Sequence, residues 1–260
     1  MKSKHVQRQN WDPLAAWYDG WMGQHGSRHH QRLAIPAVLS LLQLEPGQHV
    51  LDLGAGQGVL APYVTKLGAR YTGVEISSRL VSMARKRHGR HGTFIRADVQ
   101  RLSQIERIKR QAFDACVFLL SLQDIEPLQD AIRSAAWTLK TGGCLVVLLT
   151  HPCFRIPRQS GWGWDTGRKL RYRRVDCYLT PMEVPMKQHP GRAQGVSRSY
   201  HRPLGDYVNG LAQAGLLVDR MLEVPSDLNK HRGRNAKACR RADREFPLFL
   251  GLRAIKPGRR

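Results

Sequence analysis

The chain has 260 residues, 42% of them apolar, and its 42 Lys and Arg residues outnumber its 20 Asp and Glu residues, for a formal net charge of +22. The apolar share supports a folded core in one large domain or in a domain with an insertion, and it excludes a disordered or fibrous chain. The positive charge attracts polyanions such as RNA, although a surface rich in arginine for solubility gives the same count.

The N-terminal part of the chain predicts two helices, one within Trp11–Trp21 and one within Arg28–Leu44, with Pro36 as a candidate kink. The residues before Trp11 lack the apolar run of a secretory signal. The longest apolar run, Leu145–Leu149, is far shorter than the roughly 18 residues of a spanning helix. We therefore expect a cytoplasmic protein without a membrane-spanning segment.

Short β-rich runs alternate with helical stretches between residues 49 and 150. This alternation predicts right-handed βαβ units on a parallel sheet. A helix over Ile125–Leu139 and a glycine-containing stop at Lys140–Gly143 precede the last strand. The five strands are predicted at His49–Leu53, Tyr71–Glu75, Thr93–Arg96, Ala115–Leu120 and Cys144–Leu149.

Residues 151–202 have no clear period and are rich in Pro, Gly, Arg and Trp, which is typical of a functional lid or a binding loop. A helix at Pro203–Ala214 and strands at Leu216–Val224 and Phe246–Ala254 follow. A basic segment, Asn229–Arg244, separates these two strands. The five cysteines form no C-x-x-C pair, which predicts reduced thiols and no metal site.

The most informative motif lies where the first strand turns into the next helix. It reads D-x-G-x-G-x-G from Asp52 to Gly58. A dinucleotide-binding fingerprint would need a glycine at position 59, which is Val59, and a phosphate-binding loop would need a lysine that is absent. The glycines allow a tight turn and let a ligand approach the main chain.

At these residues the sequence resembles the class I S-adenosylmethionine-dependent methyltransferases. Glu75 ends the second strand, where the family's acidic residue accepts the ribose hydroxyls, and Asp98 follows the third strand, near the place of the adenine amino group. Phe113-Asp114 opens the fourth strand as in the family. Leu139–Gly143 matches the family's L-x-P-G-G turn, with Thr141 in place of the proline.

The resemblance covers Trp11 to Thr150 well and the last strands loosely. It implies an α/β fold with a doubly wound, mostly parallel, seven-stranded Rossmann-like sheet and a C-terminal antiparallel hairpin. It also implies an N-terminal helical cap over residues 1–45, a cofactor-binding core over 46–150 and an insertion serving as a substrate lid over 151–202. Residues 203–260 would complete the same catalytic domain.

S-adenosylmethionine is the cofactor that the resemblance implies. Two of its implied contacts have a simpler interpretation, because Asp98 can cap the helix that follows it and Tyr18 can be an ordinary core residue. Leu119 and Gln123 are expected near the cofactor because they lie just past strand four. The implied cofactor-binding residues are Tyr18, Asp52, Gly54, Gly56, Gly58, Glu75, Ile76, Asp98, Val99, Leu119 and Gln123.

The sequence constrains the identity of the methyl acceptor less than it constrains the cofactor. The residues after strand four, Leu120–Gln123, lack the [DNS]-P-P-[YFW] motif of amino-methylating enzymes, and a lone Cys153 more often fills space than acts as a nucleophile. Trp162 and Trp164, flanked by glycines, suit a lid over an aromatic or lipophilic acceptor, or a satellite hydrophobic cluster. His151 is a candidate base and His201 a candidate substrate contact, although a structural role is the simpler interpretation of His151.

A small acceptor molecule is the favoured hypothesis, because a helical cap and a lid after strand five are typical of that branch. The alternative is an RNA methyltransferase that uses the basic C-terminal segment. A non-catalytic RNA-binding protein on a decayed scaffold is a third interpretation, but it predicts loss of the glycine-rich turn or of Glu75, and both are present. The sequence does not predict the oligomeric state.

Overall fold

The computed structural model describes residues 11–186, 197–226, 229 and 231–258. Seven α-helices and eleven strands are found in these residues. The helices are α1 (Ala15–Met22), α2 (Ile35–Leu42), α3 (Ala61–Lys66), α4 (Ser78–His88), α5 (Leu128–Thr138), α6 (Leu204–Gln213) and α7 (Ala236–Glu245). The strands are β1 (His49–Leu53), β2 (Arg70–Glu75), β3 (Thr93–Arg96), β4 (Phe113–Leu119), β5 (Leu139–Thr150), β6 (Ser160–Asp165), β7 (Leu170–Val175), β8 (Met182–Met186), β9 (Ser197–His201), β10 (Leu217–Val224) and β11 (Phe249–Ile255).

Seven of the strands form one sheet in the order β10-β11-β5-β4-β1-β2-β3. Strands β1 to β5 pair with one another in parallel. Strand β11 pairs antiparallel with both β5 and β10. This confirms the predicted mostly parallel, seven-stranded sheet with an antiparallel C-terminal pair. The topology is that of a Rossmann-like α/β fold.

Both faces of the parallel part of the sheet are buried because helices cover each side, whereas the edge strand β10 is largely exposed. Along β5 the side chains of Leu145, Val147 and Leu149 face the core formed with α5 and α6. Val146 and Leu148 face the opposite core, formed with α2, α3 and α4. The continuous apolar run that predicted this strand therefore serves two cores at once.

The order of the parallel strands reverses between β1 and β4, because β2 and β3 lie to one side and β5 to the other. In open parallel sheets, ligands bind in the crevice outside the carboxyl ends of the strands at such a switch point. The chain segments that leave the two strands meet there: the Ser121 hydroxyl donates to the Leu53 carbonyl over 2.7 Å. The fold thus places the glycine-rich turn beside the end of β4.

The segment after β5 is not irregular as predicted. It contains two antiparallel hairpins, β6–β7 and β8–β9, each separate from the main sheet. Their strands show no apolar alternation, since β6 is half-buried throughout and β7 is largely exposed. The β-structure of this insertion is therefore invisible to a search for hydrophobic periodicity.

Three further boundaries differ from the prediction. The residues predicted as a stop before β5 are part of the strand, because the Gly142 amide and the Gly143 carbonyl both bond to Lys256 beyond β11. Strand β11 begins at Phe249 instead of Phe246. Pro247 lacks an amide hydrogen, and the Arg155 guanidinium donates hydrogen bonds to the carbonyls of Phe246 and Pro247. The basic segment after β10 contains α7.

The second N-terminal helix carries one wide turn. Residues His30–Ala34 form a π-helical turn in which the Ile35 amide donates to the His30 carbonyl. The turn precedes Pro36, which cannot donate an amide to the preceding turn, so the deviation lies where the proline predicts it. None of the helices in the described ranges combines the length and apolar character needed to cross a bilayer.

Candidate functional site

The glycine-rich turn after β1 depends on three left-handed residues. Gly54, Gly56 and Gly58 have φ angles of +74°, +55° and +80°, which side chains with a Cβ rarely adopt. Space is limiting as well, because a Cβ on Gly58 would lie 2.5 Å from the Phe94 ring. The Gly54 and Ala55 amides both donate to the Val74 carbonyl, which fixes the turn against β2.

Glu75, at the end of β2, supports the turn from below. Its carboxylate accepts the Gly56 amide over 3.0 Å and the Ser77 amide over 2.9 Å. Burial raises the pKa of Glu75, and these backbone donors act in the opposite direction. The side chain is therefore held at the rim of the turn by main-chain groups that need no cofactor.

Asp52 lies behind the turn. Its carboxylate is 2% exposed and accepts the Tyr71 hydroxyl over 2.7 Å. Burial raises the pKa of Asp52 to about 7, against the lowering effect of that hydrogen bond. Asp52 is not among the residues that line the cavity described next, so its direct contact with the cofactor stays a prediction.

A first cavity, called the turn cavity, opens above the glycine turn at the carboxyl edge of β1 to β4. Eight of the eleven predicted cofactor-binding residues line it: Tyr18, Gly54, Gly56, Glu75, Ile76, Asp98, Val99 and Leu119. Asp52 and Gly58 shape the turn from behind, and Gln123 lies elsewhere. Asp98 lines the cavity, and its Oδ1 caps the following helical turn by accepting the Gln100 amide over 3.0 Å.

The N-terminal helix α1 covers the turn cavity. The Tyr18 ring lies 3.5 Å from the point where a Cβ would stand on Gly56, so it packs directly over the turn. Asp12, just before α1, accepts the hydroxyls of Ser77 and Ser78, and Asp19 on α1 pairs with Arg87 on α4. These contacts hold the cover to the body of the domain.

A second cavity, called the aromatic cavity, lies on the other side of Tyr18 and has a volume of about 690 Å³. This volume falls within the roughly 300–1,000 Å³ of small-molecule sites. Most of its surface is aromatic and apolar, and its polar groups come from residues 27–30, from the residues after β4, from Thr150 and Arg155, and from β9 and Arg202. The residues on it include Trp11, Trp17, Tyr18, Trp21, Leu120, Gln123, Asp124, Arg155, Ser199, Tyr200, His201, Arg202, Tyr207 and Phe249.

Five residues line both cavities, and they mark the place where the two meet. Asp124 is one of them, at the end of a helical turn that follows β4, and its carboxylate accepts a hydrogen bond from Ser199 on β9. Burial raises the pKa of Asp124 to about 7. The five shared residues are Trp11, Tyr18, Leu120, Asp124 and Tyr200.

His151 lines neither cavity, although its chain neighbours Thr150 and Pro152 line the aromatic cavity. The imidazole is 2% exposed, with Nε2 2.9 Å from Glu223 Oε1 and Nδ1 accepting the Cys153 amide. Burial lowers the pKa of His151 despite the Glu223 carboxylate. Both ring nitrogens therefore have local partners, and the role of His151 as a base stays a prediction.

The tryptophans of the insertion are not on the cavity walls either. Trp162 is surrounded by guanidinium groups, with Arg171 4.0 Å from its ring centre, and by the Phe246 ring at 5.6 Å. Trp164 shares its face of the β6–β7 hairpin. His201, by contrast, lies on the wall of the aromatic cavity, with Nε2 at 2.7 Å from the Tyr178 carbonyl.

The basic segment forms a surface on the far side of this hairpin. Helix α7 packs on β7, where buried Asp243 binds Arg171 and His231. The remaining charged residues of this segment point outward, and we call their array the arginine surface. It comprises Arg232, Arg234, Lys237, Arg240, Arg241 and Arg244.

The sequence prediction missed the residues that the fold brings to the junction from distant segments. Trp11 and Tyr200 carry no motif, and Asp124 differs from other surface acids only by its place a few residues past β4. That place is the available signal, because residues after a strand at the switch point face the ligand crevice. Gln123 follows the same rule, but its side chain lines the aromatic cavity instead of the turn cavity.

Residues 51–147 match a family described as a methyltransferase domain. The chain is 29% identical over 147 residues to a ubiquinone biosynthesis O-methyltransferase from Xanthomonas axonopodis pv. citri (strain 306), covering 55% of this chain and 62% of that protein. It is 34% identical over 118 residues to a demethylmenaquinone methyltransferase from Tropheryma whipplei (strain Twist), covering 45% of this chain and 48% of that one. The chain thus spans about half to three-fifths of these relatives.

A solved structure is similar over most of the chain. The S-adenosylmethionine-dependent methyltransferase from Mesorhizobium loti superposes with a TM-score of 0.65 at 26% sequence identity. The match covers 90% of this chain and 100% of that one, so it includes the N-terminal cover and the region after β5 as well as the sheet.

Proposed function

Because the chain belongs to the class I S-adenosylmethionine-dependent methyltransferases, we propose that it transfers a methyl group from S-adenosylmethionine to a hydroxyl group of a small aromatic molecule. The cofactor would occupy the turn cavity, and the acceptor the aromatic cavity. The observation that carries this proposal is that the two cavities meet at five shared residues on either side of Tyr18. Such a junction is what transfer between two bound molecules requires.

The turn cavity has the donor set that S-adenosylmethionine needs. The Glu75 carboxylate stands at its rim, where it can accept the ribose hydroxyls, and Asp98 stands at the end of the next strand. Ile76, Val99 and Leu119 provide apolar walls for a planar base. Gly54 and Gly56 line the cavity without side chains, so a ligand can approach their main chain. A Cβ on Gly54 would also lie only 2.7 Å from the Ser121 side chain.

The aromatic cavity supports a planar acceptor. Its tryptophans and tyrosines offer ring faces for stacking, and its few polar groups can orient a hydroxyl. Two relatives are named for ubiquinone biosynthesis and for demethylmenaquinone, which supports a quinone-type or related small molecule. Helix α1 and strand β9 line the cavity that would hold the acceptor, so this proposal does not require Trp162 or Trp164 to cover it.

When bound, the cofactor supplies an electrophilic methyl carbon whose bond to sulfur breaks with the electron pair remaining on sulfur. The chain has to align the acceptor, exclude water and receive a proton. Tyr18 and Tyr200 separate the two cavities and would align the acceptor there. The cover formed by α1 would keep water out while both molecules are bound.

The direct test uses purified protein, methyl-labelled S-adenosylmethionine and an extract of the source organism, with and without ribonuclease. We expect label in a product that organic solvent extracts and that ribonuclease does not affect. Gly56→Ala should weaken cofactor binding in calorimetry, because its Cβ would intrude on the turn cavity, whereas Gly47→Ala has a similar positive φ in open space. Unchanged affinity and activity in Gly56→Ala would refute the cofactor placement.

An RNA acceptor is the second candidate, and the exposed arginine surface on α7 favours it. It predicts label that precipitates with RNA and disappears on digestion. Charge reversal at Lys237, Arg240 and Arg241 would then abolish the labelling. Under the small-molecule proposal the same variant keeps its activity, because α7 lines neither cavity.

A further inference from the structure

The junction of the two cavities contains one group that can take a proton near neutral pH. Of the five shared residues, Trp11 and Leu120 have no basic atom, and burial raises the pKa of the Tyr18 phenol. Tyr200 contributes a phenol hydroxyl to this wall, and neither a carboxylate nor an imidazole. Asp124 is left as the acceptor among the described residues of this wall.

The Asp124 carboxylate is held in place by elements on two sides. Its own amide donates to the Ser121 carbonyl over 3.0 Å, and the Ser121 hydroxyl is bound to the end of β1. From β9, Ser199 donates a hydrogen bond to the carboxylate. The group is half-buried and faces the junction, so a ligand can reach it while the protein fixes its position.

We propose that Asp124 is the proton acceptor for the hydroxyl group that receives the methyl group, an inference that rests on the proposed function. The oxygen–hydrogen bond of the acceptor breaks, and its electron pair stays on oxygen to form the bond to the methyl carbon. The proton passes to a carboxylate oxygen of Asp124. The neutral carboxylic acid that results returns its proton to solvent after the product leaves.

The surroundings of Asp124 suit this role. Burial raises its pKa to about 7, while the Ser199 hydrogen bond and the Arg202 charge act against the rise. The other titratable groups that bear on it are the phenols of Tyr18 on α1 and Tyr207 on α6, and burial raises the pKa of both. A base whose pKa lies near the working pH is deprotonated in a large share of the molecules and still binds a proton strongly enough to accept one from the substrate.

The histidines of the aromatic cavity are less suited. His201 lies 2.7 Å from the Tyr178 carbonyl through Nε2, and it does not reach the turn cavity. His30 pairs with Ser27, and burial lowers its pKa to about 4, which leaves it a poor proton acceptor at neutral pH. None of the three histidines that line the aromatic cavity, His29, His30 and His201, also lines the turn cavity.

The first experiment compares two acceptor probes with the same pair of adjacent ring hydroxyls, catechol and 4-nitrocatechol, at about pH 8. The nitro group acidifies the phenol, so 4-nitrocatechol is already ionised and catechol is not. Asp124→Asn should lower kcat for catechol by about 10²- to 10⁴-fold, as loss of a general base does, and for 4-nitrocatechol by less than about tenfold. Asp130→Asn, an exposed carboxylate on α5, is the matched control and should match wild type for both probes.

Equal losses for the two probes would overturn the proposal, because a purely structural role of Asp124 affects both alike. Calorimetry with S-adenosylhomocysteine shows whether the variant retains its cofactor site, and we expect unchanged affinity. If wild-type protein binds the cofactor but methylates neither probe, the proposed acceptor class fails. That outcome concerns the proposed function and is distinct from a failure of Asp124.

The second experiment does not depend on activity. Protein labelled with ¹³C at the aspartate carboxyl carbons is titrated as the S-adenosylhomocysteine complex, and the resonance missing from Asp124→Asn is assigned to Asp124. The assignment also separates it from Asp52, whose pKa is likewise raised to about 7. A midpoint near 7 supports the role, and a midpoint near the ordinary value of about 4 overturns it whether or not a probe is methylated.

Discussion

The hydroxyl of Tyr71 donates to Asp52 Oδ2 over 2.7 Å, between two adjacent parallel strands and directly behind the glycine turn. Both side chains are buried, at 3% and 2% exposure. The other carboxylate oxygen, Oδ1, has no hydrogen-bond partner among the residues that the structure describes. This single hydrogen bond therefore supports a buried carboxyl group whose pKa burial raises to about 7.

Tyr71→Phe should lower the free energy of unfolding by about 1–3 kcal/mol, because it leaves a buried acceptor unsatisfied. The effect should depend on pH. A carboxyl whose pKa is raised on folding stabilises the fold fully below about pH 4 and loses that contribution as pH rises through about 7. Since the Tyr71 hydrogen bond lowers the pKa of Asp52, its loss raises this pKa further and enlarges the deficit above pH 7.

Urea denaturation of wild type and variant at about pH 5 and pH 8 measures the difference. Tyr63→Phe, at a half-buried tyrosine on α3, provides the matched control and should change little at either pH. A deficit that is the same at both pH values would show that Asp52 does not titrate in this range.

Substitution of Gly58 tests whether the turn requires glycine because a side chain would clash there as well as because the backbone is left-handed. A Cβ at Gly58, with φ of +80°, would lie 2.5 Å from the Phe94 ring, whereas Gly47, with φ of +86°, has nothing within 4 Å. Gly47→Ala should cost about 1–2 kcal/mol for the left-handed backbone alone. Gly58→Ala should cost about 2–5 kcal/mol, because overpacking adds to it, and should also weaken cofactor binding. If Gly58→Ala and Gly47→Ala lost the same free energy of unfolding in thermal or urea denaturation, this account would be wrong.

The sheet was predictable because each of its first five strands is a short apolar run and is followed by a helix or a turn. Val146 and Leu148 on one face and Leu145 and Leu149 on the other explain why the run of β5 is continuous. The hairpins of the insertion gave no such signal. Strand β7 is largely exposed, and β8 contains Pro185, a residue that argues against a strand in a sequence-based assignment.

The site was predictable where the chain itself carries the motif and not where tertiary contacts create it. Gly54, Gly56 and Glu75 follow β1 and β2 directly, and the structure brings them to one cavity. Asp124 acquires its environment from Ser199, which lies on a hairpin strand far along the chain. Local sequence patterns do not contain that pairing. His151 illustrates the converse, because its position after β5 is correct but its ring turns to Glu223.

The ion pair between Arg87 and Asp19 joins α4 to the cover formed by α1, with a second nitrogen–oxygen distance of 2.8 Å. Arg87→Ala should loosen the cover and weaken S-adenosylmethionine binding by about fivefold, which corresponds to about 1 kcal/mol for a partly exposed pair. Amide hydrogen exchange in α1 should become faster in the same variant. Arg90→Ala, three residues along and exposed, is the control for both measurements.

If the exchange of α1 amides in Arg87→Ala matches that of wild type, the ion pair does not hold the cover. A weaker affinity without faster exchange would instead point to a change in the turn cavity itself. The two readouts thus separate loss of the cover from damage to the cofactor site.

Ser199 sets the pH at which Asp124 becomes available. The rate of methyl transfer to catechol should rise with pH through about 7, because Asp124 accepts a proton only after losing its own. The Ser199 hydrogen bond lowers the pKa of Asp124, so Ser199→Ala should move the midpoint of this rise to higher pH. A hydrogen bond to a charged group contributes about 1.5 kcal/mol or more, which corresponds to a shift of at least about one pH unit.

The control for this shift is Ser197→Ala, at the first residue of β9 and on the same cavity wall. It can alter how well an acceptor binds, but it should leave the midpoint where it is in wild type. A midpoint that moves equally in both variants would mean that the strand as a whole, and not the Ser199 hydroxyl, controls Asp124. A midpoint that moves in Ser199→Ala alone shows that β9 tunes the base from the opposite side of the junction, through one hydrogen bond between distant parts of the chain.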